Sequence, residues 1–427
     1  MLFSLSATHD SSIQNALKPR LLVIVNVFKP DLGGGILFTD LCNGFAERGW
    51  DVSVKCAFSY YPEWQDKSGK NGIMIEESRE HGLRIERHGL YIPGNPNSLP
   101  QRLLHEASFF LSLMRRRPSR GEYDLVMAFC PLIASVAYGV AASRFSHAPL
   151  WLNVQDLSAQ AAVAGGLAGA SARLMLWVQN TLFRRAHAWS SISGSMVGAL
   201  RQIPGAPKHI FCLPNWLHAD MARMLSLQSR TRAETHNPLR LLYSGNVGAK
   251  QDLLSFCMAM HHRSDAFEFR IHAGGARVEE LRIWLNNIGD SRFLLHPLTS
   301  EEELADWLSW CDFYVITERQ GAGHAFLPSK LIPAISAGAP ILAVCDSDGP
   351  LGREVGQHDL GPLISWTDLD LDPIWKTRSD PARTVATWSN NAIRRSRFYT
   401  RESSLDRYVE CAQAILERHS NRGTGFT

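Results

Sequence analysis

The sequence predicts an α/β protein with two Rossmann-like, doubly wound domains that face each other across a cleft. Residues 20–27 form a β-branched apolar run typical of a buried parallel strand, and a glycine-rich loop and a helical pattern follow it. Residues 239–244, the glycine-bearing loop 245–251 and a helix from Asp252 repeat this order. The 427 residues also exceed what one hydrophobic core usually serves. The repeat therefore indicates one such sheet in each half.

The remaining strands follow from apolar runs of strand length. In the first half we predict them at residues 51–57, 83–88, 123–129, 150–154, 188–193 and 209–213. In the second half we predict them at residues 267–272, 292–295, 313–317, 340–344 and 363–365. Residues 218–238 are polar and charged, which places the domain boundary there. The expected units are an N-terminal domain (1–220), a C-terminal domain (239–385) and a helical segment (386–427) that packs back toward the first domain.

The composition argues against several classes of protein. A net charge of +3 does not suit a nucleic-acid-binding protein with a basic face. The 8 cysteines are scattered, and without a CxxC motif or a Cys/His cluster they suggest a reducing cytoplasm rather than disulfides or a zinc site. Residues 1–18 do not resemble a signal peptide, and the longest apolar runs are too short to span a bilayer. Any membrane contact is therefore expected to be peripheral.

One predicted helix, residues 101–117, is both amphipathic and basic. Its apolar residues are followed directly by Arg115, Arg116 and Arg117. Such a helix can lie on an anionic membrane surface. It can equally be a core-packed helix with a charged end, and the sequence leaves both interpretations open.

The stretch 326–341 begins a helix just beyond a predicted strand. Pro328, Ser329 and Lys330 precede the apolar helical positions that start at Leu331. Open α/β sheets bind ligands beyond the carboxyl ends of their strands, and a helix N-terminus offers N–H groups to an anion. The stretch is therefore a candidate anion site. The alternative is an ordinary helix start with a serine cap and a lysine near solvent.

Two more candidates follow predicted strands of the first half. Asp156 is placed to act on a substrate in the cleft, or else to cap the next helix. Three consecutive glycines allow close approach of a ligand, or serve a tight turn: Gly33, Gly34 and Gly35. The GxGxxG spacing is absent, which argues against a bound nicotinamide dinucleotide. Residues 161–170 are small and predict a mobile loop beside the cleft.

Six motifs occur in this order along the chain: PDLGGG (30–35), VQD (154–156), LPNW (213–216), SGNVGAKQ (244–251), AGG (273–275) and LPSKL (327–331). In combination these motifs resemble the GT-B glycosyltransferases, specifically the retaining family 4 enzymes of bacterial exopolysaccharide synthesis. The resemblance covers most of residues 20–419, and its PNW and PSK motifs are similar to the colanic-acid-type branch. Each motif alone is weak evidence for this family, but the order and spacing of the motifs together are fairly specific for it.

The resemblance implies a nucleotide-diphosphate sugar donor on the C-terminal domain and a glycan or polyprenyl-diphosphate-linked acceptor on the N-terminal domain. It implies transfer with retained anomeric configuration, without a metal or another cofactor, in the cytoplasm or at the inner face of the plasma membrane. Asp156 becomes a candidate for orienting the acceptor or accepting its proton. The residues expected at the donor are Gly33, Gly34, Gly35, Asn246, Gly248, Lys250, Gly274, Gly275, His324, Pro328, Ser329, Lys330 and Leu331.

Electrostatics supports placing these residues at the donor. The nucleoside diphosphate gains negative charge as the sugar–phosphate bond breaks, so fixed cations and N–H groups must already be in place. Lys250 and Lys330 are compact charges suited to phosphate. His324 is expected to reach the donor sugar, and the loop at Gly274 and Gly275 to border the base.

The sequence departs from the family pattern at one point. Many members carry two glutamates spaced E-x7-E, but these positions are Ala325 and Pro333 here. Glu318 lies upstream and does not align with either. This loss motivates one alternative, a non-catalytic glycosyltransferase-like binding subunit. A second alternative is a nucleotide-sugar epimerase of the same fold, which would need acid/base carboxylates that the sequence does not reveal.

Two further clusters are weak metal candidates. Residues 368–372 (DLDLD) resemble the DxD motif of the other glycosyltransferase fold, but they follow the last predicted strand in a polar loop. His261 and His262 lie on a predicted helix with no third ligand in view. We therefore expect no metal site.

Overall fold

The protein is described by a computed structural model that covers residues 18–31, 33–96, 98–156, 169–227, 232, 235–248, 250–321, 327–375 and 384–423. These residues form two lobes, each a mostly parallel sheet with helices packed on it. This is the predicted α/β architecture. The N-terminal lobe contains the first sheet and the C-terminal lobe the second.

The described residues of the N-terminal lobe form an eight-stranded sheet in the order β3-β4-β2-β1-β5-β6-β7-β8. The strands are β1 (Arg20–Ile24), β2 (Asp51–Ala57), β3 (Ile75–Glu80), β4 (Leu83–His88), β5 (Leu125–Cys130), β6 (Leu150–Val154), β7 (Ala188–Ser191) and β8 (Ile210–Cys212). Its helices are α1 (Gly34–Glu47), α2 (Leu99–Met114), α3 (Ile133–Ser146), α4 (Gly169–Phe183) and α5 (Gly194–Arg201). The strand order reverses beside β1, which is where sheets of this kind bind ligands.

The described residues of the C-terminal lobe form a six-stranded parallel sheet in the order β11-β10-β9-β12-β13-β14. The strands are β9 (Leu239–Asn246), β10 (Phe267–Gly274), β11 (Phe293–His296), β12 (Phe313–Thr317), β13 (Ile341–Val344) and β14 (Leu363–Ile364). The helices after the first lobe are α6 (Ala219–Ser226), α7 (Leu253–His261), α8 (Val278–Ile288), α9 (Glu301–Trp310), α10 (Leu331–Ser336), α11 (Pro350–His358), α12 (Val385–Ser396) and α13 (Arg401–Gly423). Here the order reverses beside β9.

Two elements differ from the sequence-based expectation. Strand β3 was missed because its residues (IEESRE) lack an apolar run, and it pairs antiparallel with β4 at the sheet edge. Helix α6 lies inside the polar segment that we expected to be only a boundary. Its two buried residues, Met221 and Leu225, are four residues apart and pack with α9 and α10. The segment before β9 therefore already belongs to the C-terminal core.

The last two helices lie on different lobes. Trp388 of α12 packs on Phe313 in the C-terminal core, whereas Leu405 and Tyr408 of α13 are buried in the N-terminal core. The chain crosses between the lobes at residues 397–400. There the Leu217 N–H donates to the Tyr399 carbonyl oxygen at 3.0 Å, so the two crossing segments are hydrogen-bonded to each other.

The docking of α13 depends on close packing at one position. Leu405 is fully buried, and a Cβ atom at Gly44 of α1 would lie only 2.5 Å from its Cδ1 atom. We expect Leu405→Ala to lower the free energy of unfolding by about 2–5 kcal/mol, because it leaves a cavity at this contact. Urea unfolding, monitored by tryptophan fluorescence, measures the free energy of unfolding. Leu227→Ala removes an exposed leucine and serves as the control; equal losses in both variants would contradict the packing role.

Candidate functional site

An ion pair joins the carboxyl edges of the two sheets. Asp156 follows β6 in the N-terminal lobe, and Lys250 lies in the loop after β9 in the C-terminal lobe. Lys250 Nζ donates to Asp156 Oδ2 at 2.5 Å. Both side chains are partly exposed, Lys250 at 35% and Asp156 at 25%. The two residues that sequence analysis selected separately therefore face each other across the cleft between the lobes.

The loop that carries Asp156 is held by residues of two sequence motifs. The Asn215 side chain donates to Gln155 Oε1 at 3.0 Å, and Gln155 Nε2 donates to Asn153 Oδ1 at 2.7 Å. The Trp216 indole N–H donates to Asp40 Oδ2 at 2.7 Å. The VQD and PNW motifs thus form one hydrogen-bonded network, which their separation in sequence did not reveal.

The triple-glycine loop begins α1 and is fixed by a neighbouring carboxylate. Gly33 has a left-handed φ of 64°, a conformation that glycine adopts without strain. A Cβ atom at Gly35 would lie 3.1 Å from Asp31 Cβ, so the loop is closely packed. Asp31 is fully buried and accepts hydrogen bonds from the Tyr60 and Tyr61 amides, each at 3.1 Å. The aspartate of the PDLGGG motif therefore has a structural role that shapes the loop.

Two glycines let side chains approach the backbone in the C-terminal lobe. Gly245 has a φ of 137°, and a Cβ atom there would lie 3.0 Å from Lys330 Nζ. Gly275 has a φ of 106°, and a Cβ atom there would overlap with the Asn246 amide. Side chains at either position would displace a predicted donor-binding residue. The glycines of the SGN and AGG motifs thus position Lys330 and Asn246.

Lys330 lies beneath this loop with its charged end buried. Its Nζ atom sits 4.0 Å from the centroid of the Tyr243 ring, a cation–π contact. It has no hydrogen-bond partner among the described residues. Burial lowers the pKa of Lys330 to about 7, and the nearby Glu318 opposes that shift. A buried cation of this kind can add positive charge directly behind the loop Gly245–Gly248.

Glu318 is the main site residue that sequence analysis set aside. It follows β12, and its side chain is 1% exposed. The backbone N–H of Glu318 donates to the Val344 carbonyl oxygen at 2.9 Å. The backbone carbonyl oxygen of Glu318 accepts from the Trp366 indole N–H at 2.6 Å. Burial, with a contribution from Asp346, raises the pKa of Glu318 to about 8. The one sequence signal that could have selected it is its place at the end of a buried strand.

Buried polar atoms without partners concentrate at these strand ends. In the described part of the chain, six side chains near these ends have a buried polar atom without a hydrogen-bond partner. They lie near the ends of β6, β10, β11 and β12 or just before α10: Asp156, His272, Thr299, Thr317, Glu318 and Lys330. Buried polar groups in native proteins are nearly always hydrogen-bonded, so such a group calls for water or a ligand. These side chains are available to hydrogen-bond a polar ligand in the cleft.

Comparison with known proteins shows which proteins the chain is similar to. Residues 33–216 match the glycosyl transferase 4-like domain family. The putative colanic acid biosynthesis glycosyl transferase WcaI of Escherichia coli (strain K12) is 28% identical over 353 residues, which cover 78% of this chain and 85% of that protein. The chain is a glycosyltransferase with the GT-B fold, and its residues 33–216 contain a glycosyl transferase 4-like domain.

Solved structures give the same fold for the glycosyltransferase. Sucrose-phosphate synthase from Thermosynechococcus elongatus superposes with a TM-score of 0.68 at 16% identity, over 94% of this chain and 100% of that one. Anabaena Alr3699/HepE in complex with UDP-glucose superposes with a TM-score of 0.63 at 15% identity, over 92% of this chain and 99% of that one. At these identities the likeness establishes the fold alone.

The remaining predicted site residues of the glycosyltransferase fall into three groups. Pro328 is buried, Ser329 is exposed, and the fully buried Leu331 donates its N–H to the Pro328 carbonyl oxygen at 3.1 Å. The Gly248 N–H donates to Gln251 Oε1 at 3.0 Å, and the Gly274 carbonyl oxygen accepts from the Val247 N–H at 2.7 Å. His324, Ala325 and residues 161–168 of the predicted mobile loop lie outside the described residues.

The clusters that we judged to be weak metal candidates have other contacts. Asp372 pairs with Arg263 at 2.9 Å, and Asp370 accepts the Asp372 N–H at 3.0 Å. His261 pairs with Asp290 at 2.8 Å. Within the described residues, no three His, Cys, Asp or Glu side chains come together as metal ligands. Over the same residues, no helix is long and apolar enough to cross a membrane.

Proposed function

We propose that this glycosyltransferase moves a sugar, with retained anomeric configuration, from a nucleotide-diphosphate sugar to a glycan or polyprenyl-diphosphate-linked acceptor during surface polysaccharide synthesis. The C-terminal lobe binds the donor and the N-terminal lobe the acceptor, at the inner face of the plasma membrane. Two similar proteins support this: the Escherichia coli relative is named for colanic acid biosynthesis, and the Anabaena structure is a complex with UDP-glucose.

The ion pair between Asp156 and Lys250 is the observation that carries the proposal. A diphosphate has more negative charge than the Asp156 carboxylate and therefore competes for Lys250. As it binds, Lys250 exchanges the carboxylate for phosphate oxygens, and Asp156 becomes available to the acceptor hydroxyl. The pair thus keeps a cation and an acceptor-orienting carboxylate together before the donor binds.

The bond changes follow from this arrangement. The bond between the anomeric carbon and the phosphate oxygen breaks, and the acceptor oxygen bonds to the same face of the sugar. The acceptor proton passes to the departing phosphate oxygen, while Asp156 orients the hydroxyl. Lys250, together with the buried charge of Lys330, stabilises the negative charge that grows on the diphosphate. Nothing in this scheme needs a carboxylate nucleophile.

A donor screen followed by a product assay tests the proposal. Thermal shift against a panel of nucleotide sugars selects the donor, because a ligand that binds the folded state alone raises its stability. Incubation of that donor, radiolabelled in the sugar, with membrane extract should release free nucleotide and label a lipid-soluble product. NMR of the product should show the anomeric configuration of the donor. Sugar isomerisation without nucleotide release, or stable binding without either, would overturn the proposal.

A further inference from the structure

A pocket of about 400 Å³ lies at the amino ends of β6, β7 and β8. Its size falls within the roughly 300–1,000 Å³ of small-molecule sites. The three strands are parallel, so the pocket and Asp156, which follows β6, lie at opposite edges of the sheet. The five residues of β6 place about 15 Å between these edges. The pocket is therefore separate from the candidate site in the cleft.

Positive charge lines this pocket from three parts of the chain. Arg184 and Arg185 directly follow α4, Lys208 precedes β8, and Arg418 lies near the end of α13. Three histidines line the pocket as well: His187, His209 and His419. Neither aspartate nor glutamate occurs among its lining residues, all of which belong to the described part of the chain. With neutral histidines, the four cations give this one pocket a charge of +4, whereas the whole chain carries +3.

Contacts within the protein account for one of the four cations. Arg184 Nε donates to the Asn180 carbonyl oxygen at 3.1 Å, at a helix C-terminus where a positive charge is favourable. Arg185, Lys208 and Arg418 are exposed, and none of them makes a side-chain hydrogen bond or ion pair with another described residue. Like charges in one pocket repel each other, and an anion that enters is attracted by all of them. The pocket therefore favours a ligand with several negative charges.

The sides of the pocket are held in place by contacts of two histidines. His187 Nδ1 accepts the Leu150 backbone N–H at 3.0 Å, so the proton of its neutral ring is on Nε2, where it can be donated to an anion. The centroid of the His419 ring lies 5.5 Å from that of the His187 ring. On α13, Ile415, Arg418 and His419 have the i, i+3, i+4 spacing of one helix face. The end of α13 thus forms one wall against the amino edge of the sheet.

We propose that this pocket is a second ligand site, which binds a small soluble molecule carrying two or more phosphate groups. Arginine forks bind phosphate oxygens in pairs, and three cations without protein partners match more than one phosphate. The buried lining residues Ala186, Ala188 and Ile415 offer the rest of the ligand an apolar contact. Because none of the lining residues is an exposed large apolar side chain that could enter a bilayer, a soluble ligand fits better than a lipid surface. The inference does not depend on the proposed function, since the pocket shares no residue with the cleft.

Calorimetry of the full-length protein with inorganic triphosphate at low salt tests the inference. The double variant Arg185→Ser, Arg418→Ser should bind triphosphate about ten-fold more weakly at this site, because it removes two charged partners of the anion. The double variant Arg79→Ser, Arg282→Ser is the matched control, since it removes the same charge from exposed positions on β3 and α8. Lys250→Ala should keep the binding that the first double variant loses, which separates the pocket from any triphosphate bound in the cleft.

Equal losses of triphosphate binding in the two double variants would overturn the inference, as would wild-type protein that binds no triphosphate. If Arg185→Ser, Arg418→Ser kept triphosphate binding but no longer sedimented with phosphatidylglycerol vesicles, the pocket would be a lipid contact instead. Thermal unfolding without ligand and nucleotide release from the donor should be unchanged in that variant, because both arginines are exposed and lie outside the cleft. Triphosphate binding at the pocket without any nucleotide release by the wild type would defeat the proposed function alone.

Discussion

Replacement of Lys250 by alanine is expected to lower kcat/KM for the nucleotide sugar by about 100- to 1000-fold, because it removes a fixed cation from the leaving diphosphate. The fold should survive, since the Lys250 and Asp156 side chains are partly exposed and pairs of this kind add little stability. Steady-state kinetics with the selected donor measures the change, and thermal unfolding checks the fold.

Two further variants sharpen this result. Lys70→Ala removes an exposed lysine paired with Glu76 at 2.6 Å, far in sequence from the cleft loops, and should leave kcat/KM unchanged. Asp156→Asn releases Lys250 from its carboxylate, so nucleotide-sugar binding should hold or tighten while transfer slows. A Lys250→Ala enzyme within two-fold of the wild type, or an Asp156→Asn enzyme with normal transfer, would refute the exchange of partners at Lys250.

Donor affinity should depend on pH through Lys330. Burial lowers the pKa of Lys330 to about 7, and a bound diphosphate raises it again by adding negative charge. Below that pH the Lys330 amine is already protonated before the donor binds, so the affinity for the donor is constant. Above it, binding must take up a proton, and affinity falls by up to about ten-fold per pH unit. Calorimetry with a nucleotide sugar, whose diphosphate does not titrate in this range, follows the change.

Lys330→Met keeps the apolar contact with Tyr243 and removes the charge. Affinity should fall about 10- to 100-fold at low pH, the scale of a lost interaction with a charged group, and its pH dependence should vanish. Glu318→Gln should retain the pH dependence with an onset at lower pH, because Glu318 raises the pKa of Lys330. If Glu318→Gln abolished the pH dependence while Lys330→Met retained it, Glu318 and not Lys330 would be the titrating group.

Most of the fold could be predicted because its strands are buried on both faces. β1, β5 and β12 are continuous apolar runs, and each is almost completely buried. β3 could not be found this way, since an edge strand with charged residues has no apolar periodicity to detect. Helix α6 was equally hidden, because it buries two apolar residues within a polar segment.

The candidate site was predictable in its parts but not in its contacts. Glycine loops and strand ends pointed to Asp156 and Lys250 independently, yet their ion pair joins residues 94 positions apart on different lobes. Glu318 was set aside because it does not align with the family glutamates. The proximity of Glu318 to Lys330 depends on how β12 packs against α10. No local pattern in a single sequence predicts that packing.

The return of α13 to the first lobe makes the C-terminal lobe an insertion within the N-terminal one. The chain enters it after Leu217 and leaves it at Tyr399, and these two residues are hydrogen-bonded to each other. We expect these two neighbouring crossings to act as a hinge, because hinges between lobes are a few residues at the ends of elements that absorb the backbone change. Rotation at this hinge would separate Lys250 from Asp156 as the cleft opens, because the two residues lie on different lobes.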